Sequence, residues 1–397
     1  MLVAQCNDSF HPQIDGVVYV VDHYAQQIET RHGRSIVVTP RAPGYTDQFP
    51  YSVLRYPSLS GTGGFEYRIG NPFSWRTVKA LCDRRPDLLH VHSPFASAVL
   101  ARMVRKKLKI PMIVTYHSKY SLDFQRLFKR PFRTVVERFT LDNLRAADEV
   151  WAVSQGAADD MVALGYKGDY IIVENGTEYA PGKALPAQVA AAEARFGLRP
   201  GVPVLLFVGR MVWYKNIGLI LDALQRLKTK GAPFQMLFVG DGGDGEAIRA
   251  KADALGLSND VIFTGLLRER DVLRALYSRA QLFLFVSRYD NAPLVMREAA
   301  ACGLPSMVLR GSSSAEIVKE GVSGFLTEED PDALAADLYT ALADSAKLAA
   351  VGAGAQEHVY LPWEKVVDQV WERYRKVQAD YREKQAAGKH IWKKADR

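Results

Sequence analysis

Cysteine is scarce: the 397 residues hold three, Cys6, Cys82 and Cys302, far apart and without a C-x-x-C pair. That excludes a disulfide framework and a cysteine-based zinc cluster, and it fits a reducing compartment. No window reaches the run of roughly 18 apolar residues that a membrane span needs. The opening MLVAQCNDSF also lacks the basic start and long apolar core of a secretory leader. A cytoplasmic protein, soluble or peripheral on the inner membrane face, is expected. Short repeats and low-complexity tracts are missing as well, which excludes solenoids and fibres. The one D-x-D string, Asp330-Pro331-Asp332, reads as a helix cap with proline in the first turn rather than as a metal site. No divalent metal and no other cofactor is expected.

What the chain has is a hydrophobic content of 48% and a formal charge of +7. Much of that charge is local. Between Arg102 and Arg145 stand twelve Arg and Lys residues against three acids, Asp123, Glu137 and Asp142. Short apolar runs alternate with helical patterns throughout: MLVAQC, RSIVVTP, DLLHVH, MIVTYH, EVWAVS and YIIVEN, then VPVLLFVGR, FQMLFVG, VIFTG, QLFLFVS and LPSMVLR. This rhythm signals βαβ units and two open α/β sheets. The predicted organisation is a Rossmann-like domain over 1–177, a strandless linker over 178–201, a second such domain over 202–362, and a C-terminal helical stretch over 363–397 that docks back on the first domain.

Ligands of open parallel sheets bind beyond the C-terminal ends of the strands. Gly240, Gly242 and Gly245 spell a literal G-x-G-x-x-G between a strand and a helix. The dinucleotide fingerprint, however, belongs to a domain's first strand and needs an acid about 20 residues on, where this chain has VIFTG. A tight turn whose glycines admit a neighbouring backbone is the preferred reading. In FVGRMVWYKN, Gly209 and Arg210 close a strand and Lys215 follows. With no acid beside them in the sequence, two such cations suit a diphosphate, unless they are ordinary solvated side chains. In FLFVSRYDNAPLVMREAAACG, a helix beginning near Pro293 turns its amide-rich end to the same crevice. Asp290 precedes that helix and Glu298 lies inside it, so the two carboxylates are candidates for sugar hydroxyls and a ribose diol. The competing reading makes Asp290 a helix cap and Glu298 a surface acid.

These segments resemble the retaining glycosyltransferases of family 4, the group 1 glycosyl transferases, with the GT-B fold. The resemblance spans nearly the whole chain. It implies two Rossmann-like domains facing across a cleft, with Arg210 and Lys215 on the donor diphosphate and among the catalytic residues. The family's paired acids read here as D-NAPLVMR-E; Asp290, which the likeness puts among the catalytic residues and the donor contacts, stands where the family has Glu. By the same likeness the donor is contacted by Gly209, Gly265, Asn291, Ala292, Leu294, Val295 and Glu298. EAAACGLPSMV and GVSGFL match further family patterns. In the first half, NDSFHPQIDGVV resembles the opening loop whose glycine, Gly16, admits the diphosphate. TYHSKYSLDF places His117 against the donor sugar, as a catalytic residue. His92 is read as a support for its loop.

The implied reaction moves a hexose, with retention, from a nucleotide-diphosphate sugar, UDP before GDP. The acceptor attacks from the same face and the leaving phosphate serves as base. The basic segment 101–139 interleaves Phe124, Leu127, Phe128, Phe132, Val136 and Phe139 with cations. It suits an anionic membrane surface and a lipid or lipid-linked acceptor; the alternative is a solvated helix with its Phe face packed inward. No nucleic-acid module is recognisable. A sugar-nucleotide epimerase on the same fold and a silent nucleotide-sugar-binding scaffold are the competing functions.

Overall fold

The computed structural model describes residues 1–60 and 68–388; positions 389–397 of the C-terminal stretch lie outside the described residues. Two compact units emerge, Met1–Asn175 together with Trp363–Arg397, and Gly176–Pro362. Each carries a parallel sheet.

The strands form because runs such as VLLFV at Val204–Val208 are buried along their whole length. Such runs suit the middle of a parallel sheet covered by helices on both faces. Among the described residues, the first unit orders its strands Ser52–Tyr56, Arg34–Pro40, Leu2–Cys6, Leu88–Val91, Met112–Tyr116, Glu149–Ala152 and Ile171–Ile172. The second orders Val261–Gly265, Gln235–Val239, Val204–Val208, Leu282–Phe285, Ser306–Leu309 and Gly324–Thr327. In both, the chain starts in the middle, winds to one edge, then returns and winds to the other. The winding reverses where Val3 pairs with Leu88, and where Leu205 pairs with Leu282.

Helices close the layers by the spacing of their apolar residues. Ile217–Thr229 buries Ile217, Ile220, Leu221, Leu224 and Leu227, a stripe of three- and four-residue steps. The last helix, Trp363–Ala386, buries Val366, Val370, Tyr374, Val377 and Tyr381 by the same rule. It lies against the helix Gly16–Arg31. Trp371 stacks on His32 at 5.3 Å, and His32 Nε2 meets Asp368 at 2.8 Å.

Some elements differ from the sequence reading. The edge strand Ser52–Tyr56 was not expected, because SVLRY is short and exposes part of its length. Gly324–Thr327 was expected only as a motif. The stretch 178–201 is no bare linker: it carries the helix Pro186–Phe196, and Ala192 and Leu198 join the core of the second unit. Thr177 and Pro362, at the two ends of that unit, pair as a parallel bridge.

Asp330 caps the helix Pro331–Ala343, its carboxylate accepting from Ala333 N at 2.8 Å, with Pro331 in the first turn as read. The G-x-G-x-x-G turn comes after the second strand of its sheet, Gln235–Val239, not the first. A Cβ on Gly240, whose φ is +132°, would collide with the Gly209 carbonyl, and one on Gly242 would sit 2.5 Å from the Met211 carbonyl. Met211 N donates to Asp241 O at 3.0 Å and Asp244 N to Met211 O at 3.1 Å. The glycines therefore cradle the Gly209–Met211 backbone. Gly240→Ala should cost about 3 kcal/mol through overpacking and backbone strain. Gly243→Ala, where a Cβ meets nothing within 4 Å, should change stability by no more than about 0.5 kcal/mol. Denaturant midpoints compare the two, and equal losses would contradict the cradle.

Candidate active site

In the second unit the candidate residues lie just beyond the two strands that flank the reversal. Gly209 and Arg210 come directly after Val204–Val208, and the loop 286–293 directly after Leu282–Phe285. Neighbouring strands wound in opposite directions leave their C-terminal loops parting from each other, which opens a crevice.

Lys215 is 7% exposed. Its Nζ lies 2.7 Å from both carboxylate oxygens of Asp290 and 5.4 Å from the centre of the Phe285 ring. This corrects the expectation of cations without acids: the partner stands 75 residues away in sequence. It also excludes the helix-cap reading of Asp290, since Pro293 is the N-cap of Leu294–Ala301 and no described side chain caps that helix. Proline thus sits one place earlier than the first helical turn. Ser287 Oγ accepts from the amides of Tyr289 and Asp290 at 3.2 and 3.4 Å and shapes the loop.

Arg210 is exposed and lies 5.8 Å from the ring centre of Tyr214, which in turn is 4.7 Å from the Tyr289 ring. The guanidinium and two aromatic rings so link the loops on both sides of the reversal. Asn291 is buried, Ala292 and Leu294 are half-buried, and Val295 packs against the core. The first-turn amides of Leu294 and Val295 have no carbonyl within their own helix.

Glu298 is no surface acid. It is 7% exposed, Arg270 Nη2 donates to its Oε1 at 2.7 Å, and Tyr277 OH donates to its Oε2 at 2.9 Å. Arg270 also meets Glu178 at 2.6 Å and lies 4.6 Å from the Tyr179 ring centre. Burial disfavours the Arg270 charge, but Glu298, Tyr179 and Glu178 outweigh it and hold the guanidinium more firmly protonated than usual. Burial, then Glu298, pushes the Tyr277 hydroxyl well above its ordinary range, so it remains a donor. Sequence reading missed Arg270 and Tyr277. The available signal was their spacing of seven on one helix, Arg270–Arg279, which puts both on the same face.

Gly265 ends Val261–Gly265 with φ +71°, and its carbonyl accepts from Gly240 N at 2.9 Å. Beside it a pocket is lined by Met211, Asp241, Arg249 and Phe263. Arg249 lies 4.5 Å from the Phe263 ring centre.

In the first unit Gly16 opens the helix Gly16–Arg31, whose cap Asp15 accepts from Val18 N at 2.8 Å. A Cβ on Gly16 would meet nothing within 4 Å, so internal packing does not demand a glycine there. His117 comes directly after Met112–Tyr116, and its Nε2 lies 3.0 Å from His92 Nδ1. Burial lowers the His117 pKa to about 3. Burial, helped by the other imidazoles, holds His90 and His92 well below the usual histidine range. All three rings are neutral at neutral pH. Another group missed in the sequence is Asp8, which accepts from Ser97 N at 2.8 Å and Tyr56 OH at 3.1 Å; burial raises its pKa to about 6.

The basic segment is divided. Arg105 is fully buried against Asp148 at 2.8 Å, and Arg102 holds Asn143 at 2.9 Å, so both are internal ties. Arg126, Lys129, Arg130 and Arg138 are exposed. On the helices Tyr120–Leu127 and Phe132–Arg145, Phe124 is buried, but Leu122, Leu127, Phe132, Val135 and Phe139 face solvent. The Phe face is thus only partly turned inward. Among the described residues, no helix is long and apolar enough to cross a membrane, and no group of three or more His, Cys, Asp or Glu could hold a metal ion.

Two family models match, "Glycosyltransferase Family 4" over residues 14–180 and "Glycosyl transferases group 1" over 190–358. A GDP-mannose-dependent alpha-mannosyltransferase of Corynebacterium glutamicum is 23% identical over 94% of this chain and 86% of its own. An alpha-monoglucosyldiacylglycerol synthase of Acholeplasma laidlawii is 22% identical over 84% of this chain and 86% of its own. Among solved structures, Anabaena Alr3699/HepE in complex with UDP superposes with a TM-score of 0.78 at 19% identity, covering 95% of this chain and all (100%) of that one. Sucrose-phosphate synthase from Thermosynechococcus elongatus gives 0.75 at 21% identity, over 96% and 99%. Two reversed parallel sheets, the matched models over both halves and these neighbours together make the chain a glycosyltransferase of family 4, group 1, with the GT-B fold.

Proposed function

We propose that the protein transfers a hexose, with retention, from a nucleotide-diphosphate sugar to a lipid or lipid-linked acceptor. The observation that carries this reading is Lys215, nearly buried and paired with Asp290 across the two loops that follow Val204–Val208 and Leu282–Phe285, the same loops that carry Arg210 and lead into Leu294–Ala301. When the glycosidic bond to the diphosphate breaks, negative charge builds on the leaving phosphates and positive charge on the sugar ring. Two cations and a helix N-terminus oppose the first charge. The leaving phosphate, rather than a protein carboxylate, takes the acceptor proton, and no metal is required.

In this reading Glu298, oriented by Arg270 and Tyr277, receives the ribose diol. The pocket beside Gly265 receives the base, whose flat ring suits Phe263 and glycine backbone. Asp290 first orients Lys215 and only then touches the sugar, which accords with its short side chain. Gly16 and His117 are assigned to the diphosphate and the donor sugar by the family likeness. UDP is the base to test first; GDP is the second choice, supported by the GDP-mannose-dependent relative.

Lys215→Ala should lower turnover about a hundredfold or more, or about 3 kcal/mol. The Lys215→Ala/Asp290→Ala double variant removes the unpaired carboxylate that the single change leaves behind, and it should be no more active. UDP-, GDP- and ADP-sugars scored by thermal shift and then by turnover identify the donor, and NMR of the product reads its anomeric configuration. Full turnover in a folded Lys215→Ala variant contradicts the phosphate assignment. Release of a new free nucleotide-sugar in place of nucleotide diphosphate would favour an epimerase.

The acceptor half of the proposal rests on the mixed basic and apolar surface. Phe132 is 63% and Val135 60% exposed, amid Lys129, Arg130 and Arg138. The alpha-monoglucosyldiacylglycerol synthase relative supports a glycerolipid acceptor. Vesicles of anionic phospholipid should bind the protein at low salt. Phe132→Ser/Val135→Ser should weaken binding about tenfold. No vesicle binding together with full activity on soluble acceptors contradicts it.

A further inference from the structure

The loop that follows the strand Gly324–Thr327 reaches both of the loops that carry the Lys215–Asp290 pair. Asn216 Nδ2 donates to Glu329 Oε1 at 2.7 Å, and Arg288 Nε donates to Glu329 Oε2. Asn216 directly follows Lys215, and Arg288 stands two residues before Asp290. One carboxylate therefore spans the two sides of the reversal a second time, beside the ion pair that the donor reading uses. An ionised carboxylate only accepts, so the Asn216 amide must present its NH2 to it. The Arg288 hydrogen bond comes first in holding the Glu329 carboxyl below the usual glutamate range, and with the Asn216 amide it outweighs partial burial.

Each end of this tie sits where the path of the chain is decided. Asn216 has φ +58°, in the left-handed region that asparagine tolerates better than most residues. It ends the short turn Trp213–Lys215, donating from its own N to Trp213 O at 2.9 Å, and it begins the helix Ile217–Thr229. Its conformation so sets how the chain leaves Lys215. Arg288 adjoins Ser287, whose hydroxyl shapes the loop up to Asp290. Glu329 is anchored on both sides: Glu328 Oε1 accepts from Arg310 Nε at 2.9 Å, and Asp330 caps the next helix.

We propose that Glu329 is a positioning residue for the diphosphate site: by tying Asn216 to Arg288 it fixes the separation of the two loops and keeps Lys215 and Asp290 in the geometry that a nucleoside diphosphate meets. The ligand rests on the function proposed above; the tie between the loops does not. Glu329 acts through Lys215 and Asp290 rather than by touching the ligand.

The competing reading is an ordinary surface ion pair, since the Arg288 and Glu329 side chains are 52% and 40% exposed. Such pairs commonly contribute little. The two readings differ in sign once the charge is removed. Loss of a negative charge near the cations should, by its field alone, tighten the binding of an anion. Loosening the loops should weaken it.

Titration of the full chain with UDP, GDP and ADP, beside amide hydrogen exchange read without ligand, tests the proposal. Glu329→Gln keeps the size but turns an NH2 against one of its two donors. It should weaken the nucleoside diphosphate that wild type binds best by about fivefold, and speed exchange in 210–216 and 286–293 together. Adding Asn216→Asp reverses the polarity of the contact: the amide introduced at 329 donates to the carboxylate introduced at 216, its carbonyl accepts from Arg288, and the net charge returns to that of wild type. This double variant should recover both readouts to within about twofold. Should Glu329→Gln not fold, Asn216→Gly, which keeps the left-handed turn and removes only the side-chain amide, carries the test with the same expected direction. Unchanged or tighter binding in a folded variant overturns the proposal, and so does weaker binding with exchange in both loops unchanged. If wild type binds none of the three nucleotides, the donor reading fails instead, and the exchange comparison still decides whether Glu329 holds the two loops.

Discussion

The reversal of winding in each parallel sheet is the constraint on which the rest depends. A strand buried on both faces must end in a loop, and where neighbouring strands continue in opposite directions those loops part. Gly209, Arg210 and Lys215 come from one side of such a point in the second unit, and Asp290 to Glu298 from the other. Residues about 75 apart in sequence therefore meet as an ion pair, Lys215 with Asp290. The glycine turn 240–245 keeps the first of these loops in place by letting two backbones touch.

The two units differ in how they handle charge. In the second, cations and carboxylates pair at short range: Lys215 with Asp290, and Arg270 with Glu298 and Glu178. An ion pair removed from water holds its geometry only while both partners remain, so each candidate acid is oriented by a cation before any ligand arrives. In the first unit the candidate groups are neutral histidines within a hydrogen-bond chain, because burial removes their charge. Neutral rings specify direction rather than attraction.

Much of the fold was legible in the sequence because parallel strands write themselves as apolar runs. The reversal points could be approached through the residues at the C-terminal ends of those runs, and Arg210, Lys215, Asp290 and Glu298 were singled out there as candidates. Ser52–Tyr56 was not, because an edge strand with one face open carries Arg and Tyr where a central strand carries Val and Leu. Helix Pro186–Phe196 hid in an alanine-rich stretch between glycines and prolines. The Lys215–Asp290 pair and the carboxylate clamp of Arg270 and Tyr277 were invisible for another reason: they join positions whose proximity only the folded sheet creates. The hydrogen bonds that link Tyr374, Gln5, His92 and His117 span nearly the whole length of the sequence and left no local pattern.

The central claim is that the donor diphosphate is held by the second unit at Gly209–Lys215 and at the start of Leu294–Ala301. Amide hydrogen exchange measured with and without a saturating nucleoside diphosphate tests it most directly. Slower exchange in both of those segments together is expected. Binding with both segments unchanged and protection elsewhere would contradict it.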